Sequence, residues 1–256
     1  MIRPWLAMAV LFGGTASGAG PSYILAGIVN AANYAPGPFA PNSVLSVFGS
    51  GLARSTHALV ADDLIKGGLP TEMNFVRVYV QDQPVPLLFV SEGQINFVMS
   101  SVQSIGSVRI RVVTQGFSGP EIAVILVDSA PALFQMADGY AIATHADGKL
   151  LTAASPAVGG DTIVVYATGL GRTVPNPGPG EIPSYAAQMV RTGDLKVVLG
   201  GAALDWWRIK YAGLTPGSAG LYQINLLLPD NPGTDPEIRV TVGDQTAPAG
   251  LKLAVH

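Results

Sequence analysis

One set of phrases in this chain occurs twice, in the same order, and that recurrence restricts the fold more than any other feature. Val47-Phe48-Gly49-Ser50-Gly51-Leu52-Ala53 returns as Val165-Tyr166-Ala167-Thr168-Gly169-Leu170-Gly171. Gln94-Ile95-Asn96-Phe97 returns as Gln223-Ile224-Asn225-Leu226, and Ile110-Arg111-Val112 as Ile238-Arg239-Val240. The second copies follow the first by 118 to 129 positions, so the drift amounts to one loop insertion, much of it within Gly213–Gly220. A period of that size defines two units of roughly 100 to 110 residues, the size of an immunoglobulin-like sandwich. The Cys and Trp pattern of antibody domains is missing, so each core must come from alternating inward side chains.

The segments between the phrases are strand-like. Ser43–Phe48, Phe75–Val80, Val85–Val90, Ser107–Val112 and Ile122–Val127 are short apolar or alternating runs bounded by turn residues. Strict alternation in Ser107–Val112 puts Arg109 and Arg111 on one face. Pro86 favours an edge position for the start of its run. The 31 Gly and 20 Pro among 256 residues argue against long helices. One helical piece is expected over Ser184–Met189, just after Pro183, behind a Pro/Gly-rich loop at Thr173–Glu181. Between the units, Asp147-Gly148 signals a two-residue hairpin turn. The expected fold is therefore all-β: two tandem immunoglobulin-like β-sandwiches, residues 28–130 and 155–256, joined by a short β-ribbon over 131–154 that limits swivelling.

The first nineteen residues carry the pattern of an export signal: Arg3, an apolar run from Trp5 to Phe12, then small residues ending in Ser17-Gly18-Ala19. The apolar run is too short for a bilayer span, and no later stretch is long enough. The uncleaved-anchor alternative is left open. The expected address is secreted or cell-surface. The formal net charge of −3 offers no basic surplus for nucleic acid. The absence of cysteine excludes disulfides, thiolate metal sites and a Cys nucleophile.

Gly51 and Gly169 sit just after a strand, where a left-handed backbone is expected. Gln94/Asn96 and Gln223/Asn225 are spaced i, i+2 and so share one strand face. These six residues are taken as structural anchors of the two units, with ligand contact by the polar pairs as the alternative.

Several phrases together resemble one family. They are Asn30-Ala31-Ala32-Asn33-Tyr34, Ala40-Pro41-Asn42-Ser43, Phe48–Ala53, Ser91–Phe97, Tyr166–Gly171, Tyr211–Gly217 and Gly220–Asn225. The chain over about residues 28–256 resembles the uncharacterised C-terminal module of secreted acidobacterial (Solibacter-type) proteins. Its units also resemble the IPT/TIG type of immunoglobulin-like domain. The resemblance implies binding or spacing rather than chemistry, and it carries no catalytic residues. In that family the module usually follows a larger extracellular region, whereas here it is expected to follow the signal directly.

A search for catalytic motifs finds little. The three histidines, His57, His145 and His256, form no metal-binding spacing. No serine sits in a Gly-x-Ser-x-Gly elbow, and there is no P-loop. Asp62-Asp63 is the only acidic doublet, and no calcium-loop pattern occurs; calcium held by scattered Asp at a domain junction stays open as an alternative. No cofactor is expected. One surface feature stands out. Asp205–Tyr211 is expected as a strand with Trp207, Ile209 and Tyr211 facing the core and Trp206, Arg208 and Lys210 facing solvent. Trp206 beside two cations suits stacking on a sugar or anchoring a partner, with cation-π cover of Trp206 as the bland alternative. The expected function is a non-enzymatic binding or assembly module outside the cytoplasm. Its partner would be another exported protein or a second copy of itself. A carbohydrate-binding module using exposed aromatics is the alternative, and an unrecognised hydrolase is less favoured.

Overall fold

The computed structural model describes residues 20–256, so the export signal expected over 1–19 lies outside the described residues. The chain forms two β-sandwiches in tandem, and every pairing between its strands is antiparallel. The strands of the first unit are β1 (Ser22–Asn30), β2 (Val44–Ser50), β3 (His57–Ala58), β4 (Val76–Val80), β5 (Gln83–Pro84), β6 (Leu87–Val90), β7 (Gln94–Val98), β8 (Gly106–Thr114), β9 (Phe117–Ser118) and β10 (Ile122–Leu126). The first half of the second unit comprises β11 (Ala132–Leu133), β12 (Ala143–His145), β13 (Thr162–Thr168), β14 (Thr173–Val174), β15 (Ala187–Met189) and β16 (Leu195–Leu199). It is completed by β17 (Ala202–Ala203), β18 (Ile209–Leu214), β19 (Tyr222–Leu227), β20 (Ile238–Val242) and β21 (Gln245–Thr246).

The first unit packs a sheet ordered β1-β2-β7-β6-β3 against one ordered β10-β8-β4-β5, with β9 also on β8. The second packs β11-β13-β19-β18-β15-β14, with β12 also on β13, against β17-β16-β20-β21. The recurring phrases take corresponding places in this pairing: β2 lies on β7 as β13 lies on β19, and β4 on β8 as β16 on β20. Alternation explains the cores. Val108, Ile110 and Val112 of β8 turn inward. Arg109 and Arg111 turn outward, where Arg111 reaches Asp82 at 3.2 Å and both arginines reach Glu121 at 3.5 Å. Each unit has its own apolar cluster, one around Val47, Ile95 and Phe97, the other around Val165, Ile224 and Val240.

Three local expectations are corrected. Ser184–Met189 is not helical: Ala187 and Met189 enter the core with Gln188 outward, and this two-residue period builds β15 against β18. Only about one and a half turns were available after Pro183, too few to pay for helix nucleation. The turn at Asp147-Gly148 has a three-residue loop, with the N–H of Gly148 donating to the His145 carbonyl and the N–H of His145 to the Lys149 carbonyl. Gly148 has φ +86°, the left-handed residue that such a loop requires. Trp206–Arg208 is a 3₁₀ turn, not strand.

The ribbon over 131–154 is built into the second sandwich. β11 and β12 both pair with β13, and Leu133, Ala143 and Leu151 lie in the second core. The junction itself is dense. The N–H of Val44 donates to Thr168 Oγ1 at 2.9 Å, and that hydroxyl donates to the Gly220 carbonyl at 2.8 Å. The 173–181 loop reaches back to the first unit. Ser101 Oγ donates to the Pro177 carbonyl at 2.7 Å, and the N–H of Leu69 to the Gly180 carbonyl at 2.8 Å. Arg172 donates to the carbonyls of Ser101 and Gln103 at 3.2 and 2.7 Å. These bonds tie the two sandwiches directly to one another.

Candidate binding surface

Trp206 and Trp207 stand at the pole of the second sandwich that lies away from the first. The junction engages Thr168 and Gly220, at one end of β13 and β19; the 3₁₀ turn adjoins the other end, where Thr162 pairs with Leu227 and Ile209 with Leu226. Leu204 and Ile209 pack against the core on either side of the turn, so the two tryptophans loop out between two anchors. Arg208 Nη1 donates to the Leu228 carbonyl at 2.8 Å and pins the turn from beneath.

The exposure of Trp206, at 84%, agrees with the solvent face expected for it, but Trp207 is not a core residue: it is 43% exposed. The turn replaces strand alternation, so neighbouring side chains are not sent to opposite faces. The cations also stack on a different ring than expected. The Arg208 guanidinium lies 4.4 Å and the Lys210 ammonium 5.4 Å from the Trp207 ring centre, and neither covers Trp206. A bulge follows. The register shifts between Ile209 and Tyr211, so Lys210 is the extra, unpaired residue of the bulge. Tyr211 then pairs with Asn225 on the outward face, not with the core as expected. Sequence alternation alone could not place this bulge.

The recurrent anchors behave alike in the two units. Gly51 and Gly169 have φ of +64° and +76°. A side chain on Gly169 would also collide with the Ala130 carbonyl, which belongs to the chain linking the units. Gln94 Nε2 donates to Asn96 Oδ1 at 2.8 Å, and Gln223 Nε2 to Asn225 Oδ1 at 3.0 Å. Their neighbours Ile95, Phe97, Ile224 and Leu226 are fully buried, so both amide pairs face outward.

Two of the three histidines have polar side-chain neighbours among the described residues. His57 Nε2 meets the Asp63 carboxylate at 2.9 Å. The N–H of Val60 and then His57 hold the Asp63 carboxyl below the usual carboxylate range. His145 Nε2 lies 3.3 Å from Ser155 Oγ but equally near the Ser155 carbonyl at 3.2 Å, and the nearby Asp147 is paired with Lys149 at 2.9 Å. No group of three or more His, Asp or Glu is placed to hold a metal ion among the described residues. No described helix is long and apolar enough to cross a membrane.

A second surface was not legible in the sequence. A groove of about 740 Å³ lies between β1 and β10, outer strands of opposite sheets, and is lined by Leu25, Ile28, Pro36, Pro38, Phe39 and Ile125 among others. All its lining residues are uncharged. At its β1 side the register breaks between Tyr23 and Ile28, where Ile24 and Leu25 are exposed.

No family model matches the chain, and no curated protein matches it. Among solved structures, the surface glycan-binding protein PbSGBP-B from Prevotella bryantii aligns at 12% identity over 84% of this chain and 37% of its own, with TM-score 0.28. The SGBP-B of the Bacteroides ovatus mixed-linkage glucan utilization locus, in complex with a mixed-linkage heptasaccharide, aligns at 10% identity over 92% of this chain and 46% of its own, with TM-score 0.32. The plexin A4 extracellular region aligns at 12% identity over all of this chain and 20% of its own, with TM-score 0.31. The chain thus spans less than half the length of each. TM-scores near 0.3 are too low to identify its fold or function with theirs.

Proposed function

We propose that the chain is an exported, non-enzymatic binding module that engages carbohydrate through the Trp206–Trp207 pole of its second sandwich. One observation carries the reading: an indole that is 84% exposed at the tip of a rigid sandwich, beside a second indole whose ring bears two cations. Exposing an aromatic ring of that size forfeits burial energy that a folded chain would otherwise gain. A sugar ring returns it by stacking its C–H face on the indole while its hydroxyls meet Lys210 and Asp205, with Arg208 holding the turn from beneath. The pole points away from the first unit, so that unit leaves it clear. The export pattern of the first nineteen residues supports an extracytoplasmic address. A glycan array with the intact chain, Trp206→Ala and Trp207→Ala tests the reading. Glycan signals that fall at least tenfold in Trp206→Ala are expected; signals unchanged in both variants would overturn it.

A second reading is docking to an exported protein or to a second copy. The apolar groove between β1 and β10 favours it, since uncharged walls beside exposed Ile24, Leu25 and Ile125 suit a protein surface. Sedimentation of the intact chain and of Leu25→Asp over a range of concentrations tests it: association lost in the variant supports it, and a monomer at all concentrations counts against self-docking.

A further inference from the structure

Both outward amide pairs sit in the same surroundings, and neither the sequence phrases nor the tryptophan pole account for that. In the first unit Gln94 is directly opposite Phe48 on β2, and Asn96 is directly opposite Phe89 on β6. In the second unit Gln223 is opposite Tyr166 on β13, and Asn225 is opposite Tyr211 on β18. One sheet of each unit therefore carries, across three adjacent strands of its outward face, the row aromatic, Gln, Asn, aromatic. Directly opposed residues on one face of a sheet lie close enough to act on a common ligand. In the first unit Tyr34, itself exposed, extends the row with its ring 5.9 Å from that of Phe48.

The amides are held but not saturated. Each Gln gives one N–H to its Asn, and Ser46 Oγ adds a second bond to Asn96 Oδ1 at 2.8 Å. No described group bonds to Gln94 Oε1, Asn96 Nδ2, Gln223 Oε1 or Asn225 Nδ2, and none of these atoms is sealed from solvent. A side-chain amide has two acceptor lone pairs and two donor hydrogens. Linked as they are, each pair keeps one free carbonyl oxygen and one free NH₂ on the same face, and turning both amides over preserves that complement. A pair of vicinal hydroxyls matches it, one hydroxyl donating to the carbonyl and the other accepting from the NH₂. The flanking rings supply flat apolar faces for the C–H side of the sugar. The four residues of each row carry no charge.

We propose that these two rows are carbohydrate subsites, one per sandwich, each gripping the vicinal equatorial hydroxyls of a neutral pyranose chain. The proposal rests on the carbohydrate reading above but assigns different residues and a different stoichiometry. In the second unit the bulged Lys210 adjoins Tyr211 of the row and reaches Trp207, so that row runs on toward the tryptophan pole. The first unit's row has no such extension and stands as an independent site.

Titration of the intact chain with cellohexaose tests this, read by the side-chain NH₂ resonances of the four amides and by binding stoichiometry. Shifts in the Gln94, Asn96, Gln223 and Asn225 signals and two equivalents bound are expected. The double variants Gln94→Ala/Asn96→Ala and Gln223→Ala/Asn225→Ala should each reduce the stoichiometry to one. Amide signals that stay fixed in the intact chain while cellohexaose binds would overturn the proposal without any variant. So would variants that lose thermal stability yet still fill both sites at unchanged affinity, which assigns the amides to structure alone. A chain that binds glycans on the array through Trp206 but ignores cellohexaose overturns the rows and leaves the pole standing. A chain that binds no glycan at all removes both.

Discussion

Val44 and Thr168 join the two sandwiches through a buried hydrogen bond: the N–H of Val44 donates to Thr168 Oγ1 at 2.9 Å, and the same hydroxyl donates onward to Gly220. Thr168 is fully buried. Thr168→Val keeps the shape but strands the Val44 N–H and the Gly220 carbonyl. Leaving such groups unpaired costs about 1–3 kcal/mol. Thr168→Ser, which keeps the hydroxyl, should lose less. Denaturant melts of the two variants check this, and small-angle scattering of Thr168→Val should report a broader distribution of inter-domain orientations.

The glycines after β2 and β13 should respond unequally to a methyl group. Gly51→Ala meets only ordinary contacts, 3.9 Å from Gly20 and Pro21, and is left with the cost of its positive φ, about 1–2 kcal/mol. Gly169→Ala pays the same and also drives a methyl into the Ala130 carbonyl at the junction. Thermal melts should rank Gly169→Ala as clearly the more destabilising; equal losses would contradict the close approach.

Asp63 makes stability depend on pH in a defined direction. Its carboxyl is held below the ordinary 3.8, first by the Val60 N–H and then by His57. A depressed folded pKa contributes stability that is present above the unfolded value and is lost as pH falls through the folded one. Asp63→Asn should therefore be less stable than the intact chain at pH 7, with the gap closing as pH drops below 3.8. Paired urea melts across that range check the sign. A gap that widens in acid would contradict it.

Much of the fold was legible because alternation and recurrence act locally. Val108, Ile110 and Val112 announce an inward face, and the Phe48 and Tyr166 phrases fall at matching positions on β2 and β13. The misreadings have physical causes of longer range. Ala187-Gln188-Met189 became strand because β18 was there to pair with it, which the segment itself does not encode. Trp207 left the core because Leu204 and Ile209 took the anchoring places on either side of it. Tyr211 turned outward because Lys210 bulged. The aromatic flanks of the amide pairs lie on neighbouring strands, so they emerge only once register is known. The β1–β10 groove likewise needs two strands almost a hundred positions apart to meet.

The tryptophan pole also predicts a split between stability and binding. Trp206→Ala should change stability by about 0.5 kcal/mol or less, as exposed positions do. Trp207→Ala should cost roughly 1 kcal/mol through its lost cation-π contacts, not the loss expected of a core aromatic. Melts of both variants set against their array signals check the split: a large stability loss in Trp206→Ala would remove it from the binding role.

The most direct test of carbohydrate binding at this pole uses its own fluorescence. The chain has three tryptophans, so Trp5→Phe leaves Trp206 and Trp207 as the only indoles. Titrating that variant with the glycans that score on the array should shift the emission to shorter wavelength and shield it from acrylamide quenching, saturating with the bound fraction. Glycan binding with emission and quenching unchanged would place the ligand elsewhere and contradict the assignment of Trp206 and Trp207.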